Sequence, residues 1–200
     1  MSEQNQAVIP TVEELPEAKE KSLESKEKLS ESIVQKIPQM ISSVGTILLS
    51  EEEKEILFAP VNEEAIEIRP DGIIYLPWVE YAKRLSRAFG FEWALLPDGK
   101  PLMVNNKVMW PFFLIVRGQL AAYSIGEQSY FPTSATMSYS DAAEGAKSNA
   151  LMRCCKAKGI SLELWTPEFV RNWQKKYAEC VNEGMPPKLK WRKKQKEPKN

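Results

Sequence analysis

Ser138-Tyr139-Ser140-Asp141-Ala142-Ala143-Glu144-Gly145-Ala146-Lys147-Ser148-Asn149-Ala150-Leu151-Met152-Arg153-Cys154-Cys155-Lys156-Ala157-Lys158-Gly159 reads as one long helix with both of its ends written in. Ser138 and Asp141 stand in capping-box register, so each side chain can meet an unpaired N–H of the first turn. Gly159 is the residue type that closes a helix in the left-handed conformation. Between these ends Ala143, Ala146, Ala150, Cys154 and Ala157 recur every three or four residues and share one face. Side chains this small form a seam that lets a sheet or helix approach closely. Asn149, Arg153 and Lys156 fall on a different face, and Lys147 projects about 120° away from Arg153. On the functional reading, Arg153 and Lys156 meet a phosphate backbone and Asn149 is their hydrogen-bonding neighbour. The alternative is an ordinary solvated helix face.

Upstream of this helix the pattern changes to strands. Phe91–Leu96 is one, followed by the turn signal Pro97-Asp98-Gly99. Lys107–Arg117 and Leu120–Ile125 read as a hairpin joined at Gly118, with Pro111 marking an edge or a bulge. Before the strands, Ile73–Leu76 is a short extended segment. Trp78, Ala82, Leu85 and Phe89 then form the apolar face of a helix running from Pro77 to Gly90. Lys83, Arg84 and Arg87 lie together on its other side, as a second cationic wall or as a salt-bridged surface with Glu80. Ser50 and Glu53 form a capping box for a short helix ending near Phe58. Downstream, Thr166-Pro167 opens a closing helix with Phe169, Val170, Trp173 and Tyr177 on its buried side, and Pro186-Pro187 breaks the pattern. The fold class expected is α+β: an antiparallel three-stranded β-sheet packed on a long helix, with flanking helices and disordered termini.

Composition divides the chain into three. Residues 1–45 are Glu, Lys, Ser and Gln with scattered prolines, too polar to offset ordering entropy, and are expected to be a disordered acidic arm. Residues 46–183 form the core domain and 184–200 a basic tail. The formal net charge of 0 conceals an asymmetry. Residues 1–68 carry 15 acidic and 6 basic side chains (−9), whereas residues 69–200 carry 12 acidic and 21 basic (+9). A basic body and tail suit a polyanionic partner. Within the tail, Lys188, Lys190, Trp191, Arg192 and Lys193 combine cations with one aromatic ring, which either stacks on a base or docks the tail on a neighbouring subunit.

Several classes of function recede. No apolar run approaches the roughly 20 residues of a membrane span, and the N-terminus has neither the pattern of a secretory signal nor that of a transit peptide. The three cysteines, Cys154, Cys155 and Cys180, are too few for a disulfide framework and are expected to be free buried thiols. There is no His, which removes the commonest general base and metal ligand. Asp71, Asp98, Asp141 and Glu144 have no metal-ligand spacing. No enzymatic chemistry, cofactor or metal is expected. Trp93, Trp110, Phe112, Phe113, Trp165 and Trp173 sit on periodic apolar faces and are expected in the core.

Four stretches carry a resemblance to a known family. They are Arg69-Pro70-Asp71-Gly72-Ile73-Ile74-Tyr75-Leu76-Pro77, Gly126-Glu127-Gln128-Ser129-Tyr130-Phe131, Glu144 to Lys156, and Glu163-Leu164-Trp165-Thr166-Pro167-Glu168-Phe169. In this order they resemble the core of the mitochondrial genome maintenance proteins of fungi, over about residues 68–177, and the Lys188–Lys194 tail is similar too. More distantly, Phe89-Gly90-Phe91-Glu92-Trp93 and the long helix resemble the wider single-strand annealing superfamily, which includes Rad-type recombination mediators and phage annealers.

The resemblance implies a strand-strand-strand-helix core, ring-shaped homo-oligomers, and ATP-independent binding and annealing of single-stranded DNA in recombination, repair or genome maintenance. Arg153 and Lys156 match positions that line the superfamily's DNA groove, and Met152 replaces a basic residue of the Rad-type members. Partners implied are single-stranded DNA, annealed duplex intermediates, further copies of the chain and other recombination proteins. A non-annealing single-strand binder or nucleoid-packaging protein is the alternative. Because the acidic arm does not resemble the fungal presequence, the cytoplasm of a prokaryotic or phage-infected host is expected rather than a mitochondrion.

Overall fold

In the computed structural model, which describes residues 46–133, 137–183 and 188–194, two tight hairpins organise the sheet. Strand β5 (Lys107–Val116) returns as β6 (Gln119–Ser129) through Arg117 and Gly118, whose φ values are 51° and 71°. The same strand is entered from β4 (Leu102–Val104) through Asn105 and Asn106, at 48° and 58°. Two-residue loops with both φ positive match the right-handed twist of paired strands. β3 (Trp93–Pro97) pairs with the C-terminal half of β5, on the side of β5 that β4 occupies at its N-terminal end. The sheet therefore has four strands: β4 joins the three expected from sequence.

Pro111 lies in the central strand, where its carbonyl accepts from the Asp98 N–H at 2.9 Å. Asp98 directly follows β3 and faces Pro111 in register, so the N–H that Pro111 lacks is the one that would return the bond to Asp98, and the β3–β5 ladder ends there. The register shift lies elsewhere, between Leu114 and Ile115.

The long helix, here α3 (Tyr139–Ala157), packs on β5 and β6 and carries the expected capping box. Ala143, Ala146, Ala150 and Cys154 of the small-residue seam are buried. Ala157, the fifth expected member, is exposed. The helix is covered on two sides instead, because Leu151 and Cys155 face the main core shared with α2 (Trp78–Phe89). Burial pushes the Cys154 and Cys155 thiols up to about 11 and about 12, so both stay protonated at neutral pH. Cys180 is exposed, unlike the expectation of three buried thiols.

Around this centre, α1 (Glu51–Leu57) begins at the Ser50 capping box, and a two-stranded ribbon joins β1 (Glu67–Ile68) to β2 (Ile74–Tyr75). α2 buries Tyr81, Leu85 and Phe89 rather than the expected stripe beginning at Trp78, which is 53% exposed. α4 (Pro167–Tyr177) buries Trp173, whose indole N–H donates to the Glu63 carbonyl at 2.8 Å. Thr166 precedes α4 as expected, but its hydroxyl donates to the Glu163 carbonyl and does not cap the helix. Trp165, expected in the core, is 37% exposed.

β7 (Ala178–Glu183) follows α4 directly and pairs with β8 (Lys188–Lys193). Within the stretch read as a tail, Lys188–Lys193 is thus a strand, because Trp191 and Lys193 find partners on the body. The expected acidic arm over residues 1–45 and the Pro186-Pro187 break lie outside the described residues.

Candidate nucleic-acid interface

Between the β1–β2 ribbon and α3 runs an open groove of about 760 Å³. One wall is Arg69, Ile73, Tyr75, Leu76, Pro77 and Trp78, from the ribbon and the start of α2. The other is Gly145, Ser148, Asn149 and Met152 of α3, with Lys107 of β5 and Glu127, Gln128 and Ser129 of β6 between them. This wall can exist because the strand and helix backbones nearly touch. A Cβ on Gly126 would lie 1.8 Å from the Ala146 carbonyl oxygen, and one on Gly145 would lie 2.9 Å from the Gln128 side chain. The small-residue seam thus brings the polar ends of β6 alongside the polar edge of α3.

Glu127 is the electrostatic centre. Its carboxylate pairs with Lys107 at 3.2 Å and Arg153 at 3.1 Å, and its N–H donates to Asn149 Oδ1 at 3.1 Å. The Lys107 ammonium first, with Arg153 adding to it, holds this carboxyl below its ordinary range. Arg69 is paired with Asp71 at 2.8 Å. These side chains are about one-third to three-fifths exposed, and such pairs stabilise a fold by about 0–1 kcal/mol. They therefore hold the cations in place without committing them: an external anion can displace either carboxylate at little cost.

The residues singled out from sequence divide into several groups. Asn149 lines the groove, and Arg153 reaches its margin through Glu127 while also donating to the Ile125 carbonyl at 2.8 Å. Lys156 is exposed farther along α3, its ammonium 4.4 Å from the Trp165 ring centroid. Lys147 is paired with Glu144 at 3.2 Å.

Lys83, Arg84 and Arg87 do not form the second wall. They line a separate depression with Glu52, Glu55 and Glu80. Lys83 pairs with Glu80 at 2.6 Å. Arg84 donates to the carbonyls of Leu57, Ala59 and Pro60, closing the end of α1. Arg87 is exposed.

In β8, Arg192 is paired with Glu179 and Glu183, and Lys193 with Glu67 and the carbonyls of Glu64 and Ile66. Lys188 and Lys190 are exposed. The Trp191 ring lies against Gly72, 3.0 Å from where a Cβ would stand, and the Trp191 backbone N–H donates to the Pro70 carbonyl. It docks on its own chain, so neither reading offered for it from sequence describes this contact.

The sequence reading missed Arg69, Tyr75, Trp78, Lys107 and Glu127 as groove residues. A signal was present, since three of the four stretches carrying the family resemblance turn out to line this one groove. Among the described residues no group of three or more His, Cys, Asp and Glu is placed to hold a metal ion, and no helix is long and apolar enough to cross a membrane.

Fold and groove together define an α+β protein with an open, cation-bearing polar cleft between a small-residue helix and a β-ribbon. The family model Mgm101p, described as mitochondrial genome maintenance MGM101, matches residues 37–199, and the chain belongs to that family. It is 47% identical over 139 residues to the mitochondrial genome maintenance protein MGM101 of Candida albicans, covering 69% of this chain and 50% of that protein. Over 130 residues it is 47% identical to the mgm101 homolog of Dictyostelium discoideum, covering 64% of this chain and 34% of that one. With the Mycosarcoma maydis protein it shares 42% identity over 138 residues, 68% of this chain and 41% of that one. The chain thus spans about half or less of the length of these relatives. They are eukaryotic proteins named as mitochondrial, which overturns the expectation of a prokaryotic or phage-infected host.

Proposed function

We propose that this protein binds single-stranded DNA along the groove and, as a homo-oligomer, pairs complementary strands without ATP in the maintenance of mitochondrial DNA. The observation that carries the reading is the convergence of Arg69, Lys107 and Arg153 from three separate segments on one open cleft walled by aromatic and amide side chains. An extended strand offers phosphates to such cations and flat bases to such rings. Annealing then requires only that phosphates be neutralised while pairing edges stay accessible, and repetition of the groove around an assembly would keep a long strand extended. The net charge of residues 69–200 favours the same polyanion. Relatives named for mitochondrial genome maintenance support the setting.

The test joins binding, pairing and assembly. Arg69→Ala with Lys107→Ala should weaken binding to oligonucleotides of every base composition. It should also flatten the slope of log affinity against log salt by about 0.7 per lost contact. Lys147→Ala, already paired on α3 outside the groove, should leave the slope unchanged. Complementary oligonucleotides mixed with the protein should pair faster without ATP or magnesium, and electron microscopy should show closed rings. Binding without faster pairing would make this a non-annealing single-strand binder. An unchanged slope in the double variant would remove the groove as the DNA site.

A further inference from the structure

Trp78 is a residue whose position the packing does not explain. Counting by helical steps from the buried Tyr81, Leu85 and Phe89 places it on the buried face of α2, yet 53% of it is exposed. The other five tryptophans are committed. Trp93 donates to Ser86 Oγ, Trp110 to the Gly99 carbonyl and Trp173 to the Glu63 carbonyl. Trp165 lies under the Lys156 ammonium, and Trp191 lies against Gly72. Among the described residues the Trp78 side chain has no hydrogen bond, ring partner or cation. Its indole belongs to the wall of the groove, in company with Tyr75, which is 40% exposed. The facing wall offers Gln128, Ser148 and Asn149, and the cations Arg69 and Lys107 share the lining with the Glu127 carboxylate.

An exposed indole of this size in a cleft that also holds cations suits a ligand with a flat apolar face and an anionic backbone. Resting on the single-strand reading above, we propose that Trp78 is the stacking residue of the groove, receiving one base of a DNA strand whose phosphates run past Arg69 and Lys107. Stacking covers the face of a base and leaves its in-plane pairing edge free. A base held this way is separated from its neighbours in the strand and remains available to a complementary partner. Because every base has such a face, the contact is indifferent to sequence.

The test separates this contact from backbone binding by using two probes of equal length and charge, a thymidine oligonucleotide and one made of abasic residues. With the full chain, Trp78→Ala should weaken binding of the thymidine probe about tenfold and leave the abasic probe unchanged, with the salt slope intact. Trp78→Phe should retain most of the affinity. The thymidine probe should quench wild-type tryptophan fluorescence, and Trp78→Phe should remove that quenching.

Equal weakening of both probes would show that Trp78 supports the groove without touching a base, and overturn the proposal. So would no weakening of either, or an assembly that falls apart in Trp78→Ala while Trp78→Phe still shows wild-type quenching. Failure of the wild-type protein to bind either probe would instead remove the single-strand reading on which the proposal rests.

Discussion

At Glu127 two cations meet one carboxylate, which on the proposed function holds the place of a phosphate oxygen. Removing that charge should therefore help binding. Glu127→Gln keeps the shape and the Asn149 bond, and should raise affinity for single-stranded DNA about two- to fivefold, the range expected of one half-exposed charge. Acid should act in the same direction. Since the neighbouring Lys107 and Arg153 hold the folded carboxyl below the ordinary carboxylate range, the wild type stays ionised at neutral pH and gains affinity only in acid, once pH has fallen below that range. The stabilisation from the pair has the opposite sign: present above the unfolded value, it is lost as pH falls through the folded one. Affinity measured by anisotropy from pH 7 downward should rise for the wild type more than for Glu127→Gln. If Glu127→Gln bound more weakly, the carboxylate would be aligning the cations rather than competing for them. The helix periodicity that placed Arg153 beside Asn149 gave no hint of Glu127, because their link crosses from α3 to β6 and depends on how closely helix and strand approach.

Helix and strand approach that closely because both carry small residues where they meet, and much of this was legible. Capping boxes at Ser50 and Ser138 and the turn at Gly118 are local chemistry, and they appear where the sequence places them. β4 was not foreseen, although Asn105-Asn106 is the residue type that accepts positive φ in a two-residue hairpin. Three exposed residues, Leu102, Met103 and Val104, show no alternation to announce a strand. Trp78 was misread for a different reason: periodicity identifies a face but not where the core beneath it ends. The point of closest approach can be tested directly. Gly126→Ala puts a methyl group 1.8 Å from backbone that has no side-chain freedom, so β6 and α3 must separate. A loss of about 3 kcal/mol in chemical unfolding is expected, at the upper end for overpacking. A change below 1 kcal/mol, about the lower limit of that effect, would mean the two elements are less tightly apposed than described.

Over the whole molecule, part of the positive charge read from composition is paired internally. In β8 Arg192 pairs with Glu179 and Glu183 and Lys193 with Glu67, and Lys176 pairs with Glu63. The body therefore presents fewer free cations than its formal charge suggests, and composition alone could not reveal this because pairing depends on the fold. The C-terminal strand accordingly acts as a clasp over the β1–β2 turn. Trp191→Ala should lower stability by about 2 kcal/mol, less than for a fully buried tryptophan, and should show it as a drop in Tm. Unchanged Tm with weakened DNA binding would return Trp191 to a ligand role.

The two hairpins and the clasp also differ in the distance along the chain over which they close. β4, β5 and β6 are joined by two-residue loops, so their pairing forms from near neighbours and loses little chain entropy in doing so. Trp173 reaches Glu63 across 110 residues, and Lys193 reaches Ile66 across 127. Contacts of that span have to wait until the intervening chain is organised. The meander and α3 are thus suited to form the folding nucleus, with the ribbon and the C-terminal strand adding to it late. Damage to the clasp would then show in how fast the native protein opens, with little effect on how fast it forms.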